Sequence, residues 1–151
     1  IELLDKILKR SNHHVLKAMN AKEAENIIKE NSEKIDLILL DLIMPGMSGM
    51  EFLKILKEDV STYHIPIIML SALDELDTIV ECILLGADDF LLKPLNRVLF
   101  NARINNSLDK KYFHDKEIEY QEKIKEEQEK VVAELNNTFD SLLQESFAEE
   151  L

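Results

Sequence analysis

The stretch IDLILLDLIMPG, residues 35–46, is an apolar run that stops at a carboxylate and falls into a Pro-Gly turn. A run this short and this rich in Ile and Leu reads as a strand buried on both faces, as in parallel sheets. Asp41 then stands at the C-terminal end of the strand, where open α/β sheets place their ligands. Taken alone the stretch leaves two readings open. Asp41 is either a turn or helix N-cap residue ahead of Pro45-Gly46, or a carboxylate set there for a cation or a reaction, since burying it uncompensated is costly.

Composition narrows the field. The chain has 151 residues, a hydrophobic fraction of 46% and a formal net charge of -12. Its basic residues occur at most in pairs, which argues against nucleic-acid binding by this segment. No apolar run approaches the ~20 residues that span a membrane, and nothing reads as a signal peptide. The single cysteine, Cys82, sits in an apolar context and reads as a small buried hydrophobe of a reducing, cytoplasmic protein. The four histidines show no metal-ligand spacing. The chain opens on Ile1 inside a helical pattern (Leu3, Leu4, Ile7, Leu8) with no cap before it, which suggests that the sequence begins mid-domain.

Outward from the buried strand, helix and strand alternate. Residues 1–10 read as an amphipathic helix and residues 14–18 as a short strand. Asn20 caps a second helix, with Glu23 three residues on, and Asn31-Ser32 ends it. After the loop 42–48, residues 49–58 form a third helix. Residues 65–71 are an all-apolar strand that tolerates Pro66 at its beginning. Residues 74–85 form a fourth helix closed by Gly86, and residues 88–93 a last strand broken by Pro94. Strand and helix in units of about 25 residues, with fully apolar strands, predict an α/β doubly wound parallel sheet. Asp41, Ser71 and Lys93 all fall at strand C-termini, which share one edge of such a sheet. A carboxylate facing an ammonium and a hydroxyl there can act as a nucleophile toward phosphorus.

Three motifs, LILLDLIMPGMSGMEFL, PIIMLSA and GADDFLLKP, then carry a resemblance. At their spacings of 30, 49 and 52 residues from Asp41 to Ser71, Phe90 and Lys93, residues 1–108 resemble the receiver domain of two-component response regulators. The resemblance implies a flavodoxin-like fold in which Asp41 accepts a phosphoryl group from a sensor histidine kinase or a small phosphodonor. It implies that Ser71 closes on the phosphoryl oxygen, that Lys93 pairs with it, and that Phe90 is the aromatic switch. It further implies a cis Lys93-Pro94 bond and Mg²⁺ held by Asp41, the backbone carbonyl of Ile43 and an acidic pair. That pair belongs to a first strand in the middle of the sheet, and neither strand nor pair is among these residues; the expectation is that the natural protein has them. Ile43 and Leu73, apolar and two residues beyond Asp41 and Ser71, predict slow autodephosphorylation.

From Asn96 onward there is no Pro and no Gly, and one helix is predicted to about Leu143. Ile104, Ile118, Val132, Leu135, Phe139 and Leu142 share one heptad register, and Ser107, Lys111, His114, Gln121, Lys125 and Gln128 fill its other core positions. Residues 109–151 are therefore expected to be a coiled-coil linker with a weak central seam. The expected dimer forms through receiver and helix together, upstream of a further output domain. The tail NNTFDSLLQESFAEEL is similar to the segment before class III adenylate or guanylate cyclase domains, though Glu145-Ser146 replaces the expected Pro. The segment itself is then a phospho-accepting signalling domain rather than an enzyme. The alternative is a pseudo-receiver that only dimerises and docks. A haloacid-type phosphatase is disfavoured because Ile43 stands where a second Asp belongs.

Overall fold

Strand β2 (Ile67–Ser71) is the middle of a three-stranded parallel sheet, with β1 (Ile38–Asp41) on one side and β3 (Asp89–Leu92) on the other. The computed structural model describes residues 2–150, the side chain of Leu73 excepted. In register, Asp41 stands opposite Leu70, and Ser71 opposite Leu92. All five residues of β2 are buried, and they alternate between the faces of the sheet. Ile67 and Met69 join a core with Leu40, Phe52, Leu53, Leu56, Ile79 and Cys82. Ile68 and Leu70 join a second core with Leu91, Phe100 and Ile104. Helices α2 (Ala21–Asn31), α3 (Gly49–Glu58) and α4 (Leu76–Leu84) cover the first face. Helix α1 (Glu2–Arg10) and the start of α5 (Arg97–Glu149) cover the second. Each large side chain buried this way contributes about 1.5–3 kcal/mol, which offsets the ordering of the strands. The doubly wound parallel sheet expected from the sequence is the observed one.

Helix starts follow the polar signals in the sequence. The Asn20 side chain accepts the Glu23 N–H at 2.9 Å, while the Glu23 carboxylate accepts the Met19 N–H at 2.8 Å, one residue earlier than a standard capping box. Ser48 and Glu51 make the full reciprocal box at the start of α3. Asn96 accepts the Leu99 N–H at 3.0 Å and opens α5. Helix α4 differs from expectation in its first turn, Leu73–Glu75, which is 3-10.

One predicted strand is not formed. Residues 14–18 join no ladder, and among the described residues β1 is an edge of the sheet. The reason is geometric: an isolated extended segment gains no hydrogen bonds, and the strand expected between residues 14–18 and β1 is not in this sequence. Leu16 and Met19 are accordingly left exposed.

At the N-terminal end of the sheet, Lys57 acts as a staple. Its Nζ donates to the carbonyls of Ile65 at 3.0 Å and Tyr63 at 3.2 Å, and it lies 3.3 Å from Asp88 Oδ2. That carboxylate oxygen also accepts the Ile67 N–H at 2.8 Å, closing the ladder beside β3. The Lys57 side chain is 14% exposed, so water does little to replace these bonds.

Helix α5 has 53 residues and extends past the predicted end to Glu149, because nothing after Pro94 breaks it. The chain divides into one unit through Lys111 and a second from Tyr112 onward. In the first unit Phe100, Ile104, Ser107 and Lys111 are buried. This corrects the heptad reading: Ile104, Ser107 and Lys111 belong to the interior of that unit and are not free to face a second helix. In the second unit Ile118, Val132, Leu135, Phe139 and Leu142 are exposed. Glu119 bridges Lys116 at 2.9 Å and Lys123 at 3.0 Å, and its hydrogen bonds with them lower its carboxyl to about 2.

Lys57→Met keeps the aliphatic stem and removes the three-way donor, leaving the Tyr63 and Ile65 carbonyls unpaired. Urea denaturation should show a loss of about 1–3 kcal/mol; an unchanged midpoint would mean that water replaces the ammonium.

Candidate functional site

The parallel register places the C-termini of all three strands on one edge, and the sequence ends each strand with a polar group there. Lys93 Nζ lies 2.6 Å from Asp41 Oδ2. Asp41 Oδ1 accepts the N–H of Ile43 at 3.1 Å, an Asx-type turn that orients the carboxylate. Both side chains of the ion pair are more than a third exposed, at 38% and 44%. Such a solvated pair contributes little net stability, so the ammonium is available to exchange Asp41 for an incoming anion. The turn reading of Asp41 is thus partly right, but the N-cap of α3 is Ser48.

Ser71 is buried at the end of β2, and its carbonyl accepts the Lys93 N–H at 2.7 Å, which ties the residue before the Pro94 ring to the sheet. The Lys93-Pro94 bond is cis. The hydroxyl of Ser71 lies 2.9 Å from Glu75 Oε2 and 3.0 Å from the Ala72 carbonyl. Among the described residues it makes no hydrogen bond to Asp41 or Lys93. Phe90 is half-buried against the first core, and the Arg103 guanidinium lies 5.5 Å from its ring centroid. Arg103 also pairs with Asp89, the neighbour of Phe90 on β3. Asp41 and Lys93 are therefore in contact, whereas Ser71 and Phe90 are each engaged elsewhere. Ile43 is 73% exposed beside Asp41. The side chain of Leu73, its predicted companion, lies outside the described residues.

Within these residues the expected Mg²⁺ donor set is partial. Among the described residues no three His, Cys, Asp or Glu side chains come together. Asp41 is the single carboxylate of the expected set, and its two oxygens are taken by Lys93 and by the Ile43 N–H. With the backbone carbonyl of Ile43 it supplies part of the expected shell, which for Mg²⁺ is commonly one or two carboxylates completed by water and phosphate oxygens; the acidic pair is not among these residues.

Sequence reasoning missed three participants. Glu75 was legible as the acidic residue three places after Ala72, the spacing of a helix-start carboxylate. Arg103 was hidden in the heptad pattern. Gly49 was taken only as a helix start, yet a Cβ built on it would lie 2.1 Å from the Asp41 carbonyl oxygen and 2.8 Å from Leu42 Cα. The first turn of α3 thus touches the backbone that carries Asp41, and Gly49 N–H donates to the Leu42 carbonyl at 2.9 Å.

Comparison with known proteins agrees with this geometry. A model of the response regulator receiver domain matches residues 1–105. The phosphate regulon transcriptional regulatory protein PhoB of Pseudomonas aeruginosa is 39% identical over 103 residues, 68% of this chain and 44% of PhoB. A cyclic di-GMP phosphodiesterase of Thermotoga maritima is 32% identical over 113 residues, 75% of this chain and 29% of that protein. A crystal structure of a response regulator receiver domain protein from Clostridium thermocellum superposes with a TM-score of 0.69 at 29% identity, covering 74% of this chain and 87% of that one. With a plant response regulator-like protein of Arabidopsis thaliana included, the matches span 20% to 44% of the length of these curated relatives.

Gly49→Ala should cost at least about 2 kcal/mol, because the clash is with backbone that cannot turn aside. Gly46→Ala, at φ +78 with nothing within 4 Å, should cost only about 1 kcal/mol. Chemical denaturation of the two variants decides; an equal loss would show that α3 can shift away from Asp41.

Proposed function

The chain belongs to the response regulator receiver domain family, and from that membership we propose that Asp41 is its phospho-acceptor, supplied by a sensor histidine kinase. The observation that carries the reading is the 2.6 Å contact between Lys93 Nζ and Asp41 Oδ2 at the common edge of the strands. An Asp41 oxygen attacks phosphorus as the P–N bond to the donor's imidazole breaks. The imidazole nitrogen leaves with the bonding pair, and its proton balance is made up from solvent. Lys93 meets the phosphoryl oxygens with a fixed positive charge, and phosphoryl transfer depends mainly on such positioning and neutralisation. Ser71 supplies a hydroxyl to one of those oxygens. Phe90, on the strand that runs into Lys93, is the proposed aromatic switch, and it reports the change to α5 through Arg103.

The readout we propose is a parallel dimer through the receiver and α5, with the helical seam beginning beyond Lys111. Val132, Leu135, Phe139 and Leu142 form its apolar end, and the polar stretch around Gln121, Lys125 and Gln128 keeps its middle weak. We assign residues 1–108 to the receiver and 109–151 to the linker, acting in the cytoplasm without nucleic acid or membrane contact by this segment. The output beyond the linker is a separate matter. One relative is named as a transcriptional regulator and another as a cyclic di-GMP phosphodiesterase, so receivers of this kind serve different outputs. The tail's similarity to pre-cyclase segments makes a class III nucleotidyl cyclase the output to test first, although here α5 runs on through that tail to Glu149.

The second reading is a pseudo-receiver that only dimerises and docks. The two are separated by incubating the chain, with its native N-terminus restored, with acetyl phosphate and Mg²⁺ and recording its intact mass. Phospho-acceptance predicts one added phosphoryl group, lost in Asp41→Asn and strongly reduced in Lys93→Ala. No adduct in a folded chain that carries the native acidic residues would leave the pseudo-receiver. For the helix, Leu135→Glu with Phe139→Glu should shift the chain from dimer toward monomer in sedimentation, and a monomeric parent would overturn the seam.

A further inference from the structure

The hydroxyl of Ser71 is bound to a carboxylate that has no place in the chemistry just described. Ser71 is 1% exposed, and its Oγ lies 2.9 Å from Glu75 Oε2. The same Oε2 accepts the Ala72 N–H at 2.8 Å. Glu75 ends the 3-10 turn Leu73–Glu75 that leads directly into α4. One carboxylate therefore closes the entry to α4 and holds the hydroxyl at the same time. The backbone of Ser71 is fixed, since it pairs with Leu92 in the ladder and its carbonyl accepts the Lys93 N–H. Only rotation about the side-chain bond can present the hydroxyl elsewhere.

A serine hydroxyl carries one proton. While that proton is donated to Glu75, or to the Ala72 carbonyl 3.0 Å from the same Oγ, it cannot be donated to a phosphoryl oxygen; of these acceptors the carboxylate and the phosphoryl group are the anions, whose hydrogen bonds are charge-assisted. We propose that Glu75 is a positioning residue: it latches Ser71 in the unphosphorylated chain, and competition for that single proton sets how readily a phosphoryl group engages Ser71. The proposal rests on the reading of Asp41 as the acceptor. When the hydroxyl turns to the phosphoryl group, Glu75 keeps its bond to Ala72 N–H but loses its bond to β2. The first turn before α4 is then held by one tether instead of two. The latch thus links the state of Asp41 to the helix that follows Ser71, by a route separate from Phe90.

Glu75→Gln keeps the length and an oxygen acceptor for Ala72 but removes the charge. The rotamer populations of Ser71, read from its β-proton couplings by NMR in the full chain before and after treatment with acetyl phosphate and Mg²⁺, test the latch. In the parent chain a single Ser71 rotamer should give way to a second on phosphorylation. In Glu75→Gln the ratio of second to first should rise roughly three- to tenfold in both states, as expected for exchanging a charged acceptor for a neutral one. A cap with no latching role would move the Ala72 amide and the melting temperature but leave these populations alone, which would overturn the proposal. An adduct on Asp41 with no change of Ser71 rotamer in the parent chain would overturn it without any variant. Absence of an adduct would overturn both the latch and the acceptor reading beneath it.

Discussion

Parallel pairing is the constraint on which everything else in this chain depends. Because β1, β2 and β3 run the same way, their C-terminal ends share an edge, and residues 41, 71 and 93 are brought to it whatever the loops do. The same pairing forces helical crossovers onto both faces of the sheet, which is why β2 is wholly apolar until its last residue. Polar groups are costly along such a strand and tolerable only at its ends. Chemistry and structure are thereby sorted by position along the strands.

The two ends of the sheet use similar residues in opposite ways. At the N-terminal end, Lys57 is largely buried and divides its donors among two carbonyls and Asp88, which fixes the loop before β2 and the start of β3. At the C-terminal end, Lys93 and Asp41 are half in water with one contact between them. The first lysine cannot leave without stranding carbonyls. The second can, because solvent or an anion replaces its partner. A nearly saturated cation stabilises a fold, and a loosely satisfied one beside a carboxylate is suited to receive a phosphoryl group.

Much of this was readable in the sequence, for physical reasons. Short apolar runs ending in Asp41, Ser71 and before Lys93 read as buried parallel strands, and the expected caps Asn20 and Asn96 lie where helices begin. The segment 14–18 was misread because its strand character depends on a neighbour, and no local pattern reports a missing partner. Heptad spacing likewise did not tell that Ile104, Ser107 and Lys111 pack inside the first unit, since a helix face docked on a sheet and one docked on a second helix have the same period. Glu75 and Gly49 were overlooked because their importance lies in what touches them: a hydroxyl four residues back in one case and the Asp41 carbonyl in the other.

Helix α5 carries the site's state outward only if the site changes state, so the central claim is a covalent one. After incubation with acetyl phosphate and Mg²⁺, borohydride converts an aspartyl phosphate to homoserine, and peptide mapping locates the converted residue. Phosphoryl acceptance at the sheet edge predicts homoserine at position 41 and at no other aspartate. Homoserine elsewhere, or none in a folded chain with its native N-terminus restored, would contradict it.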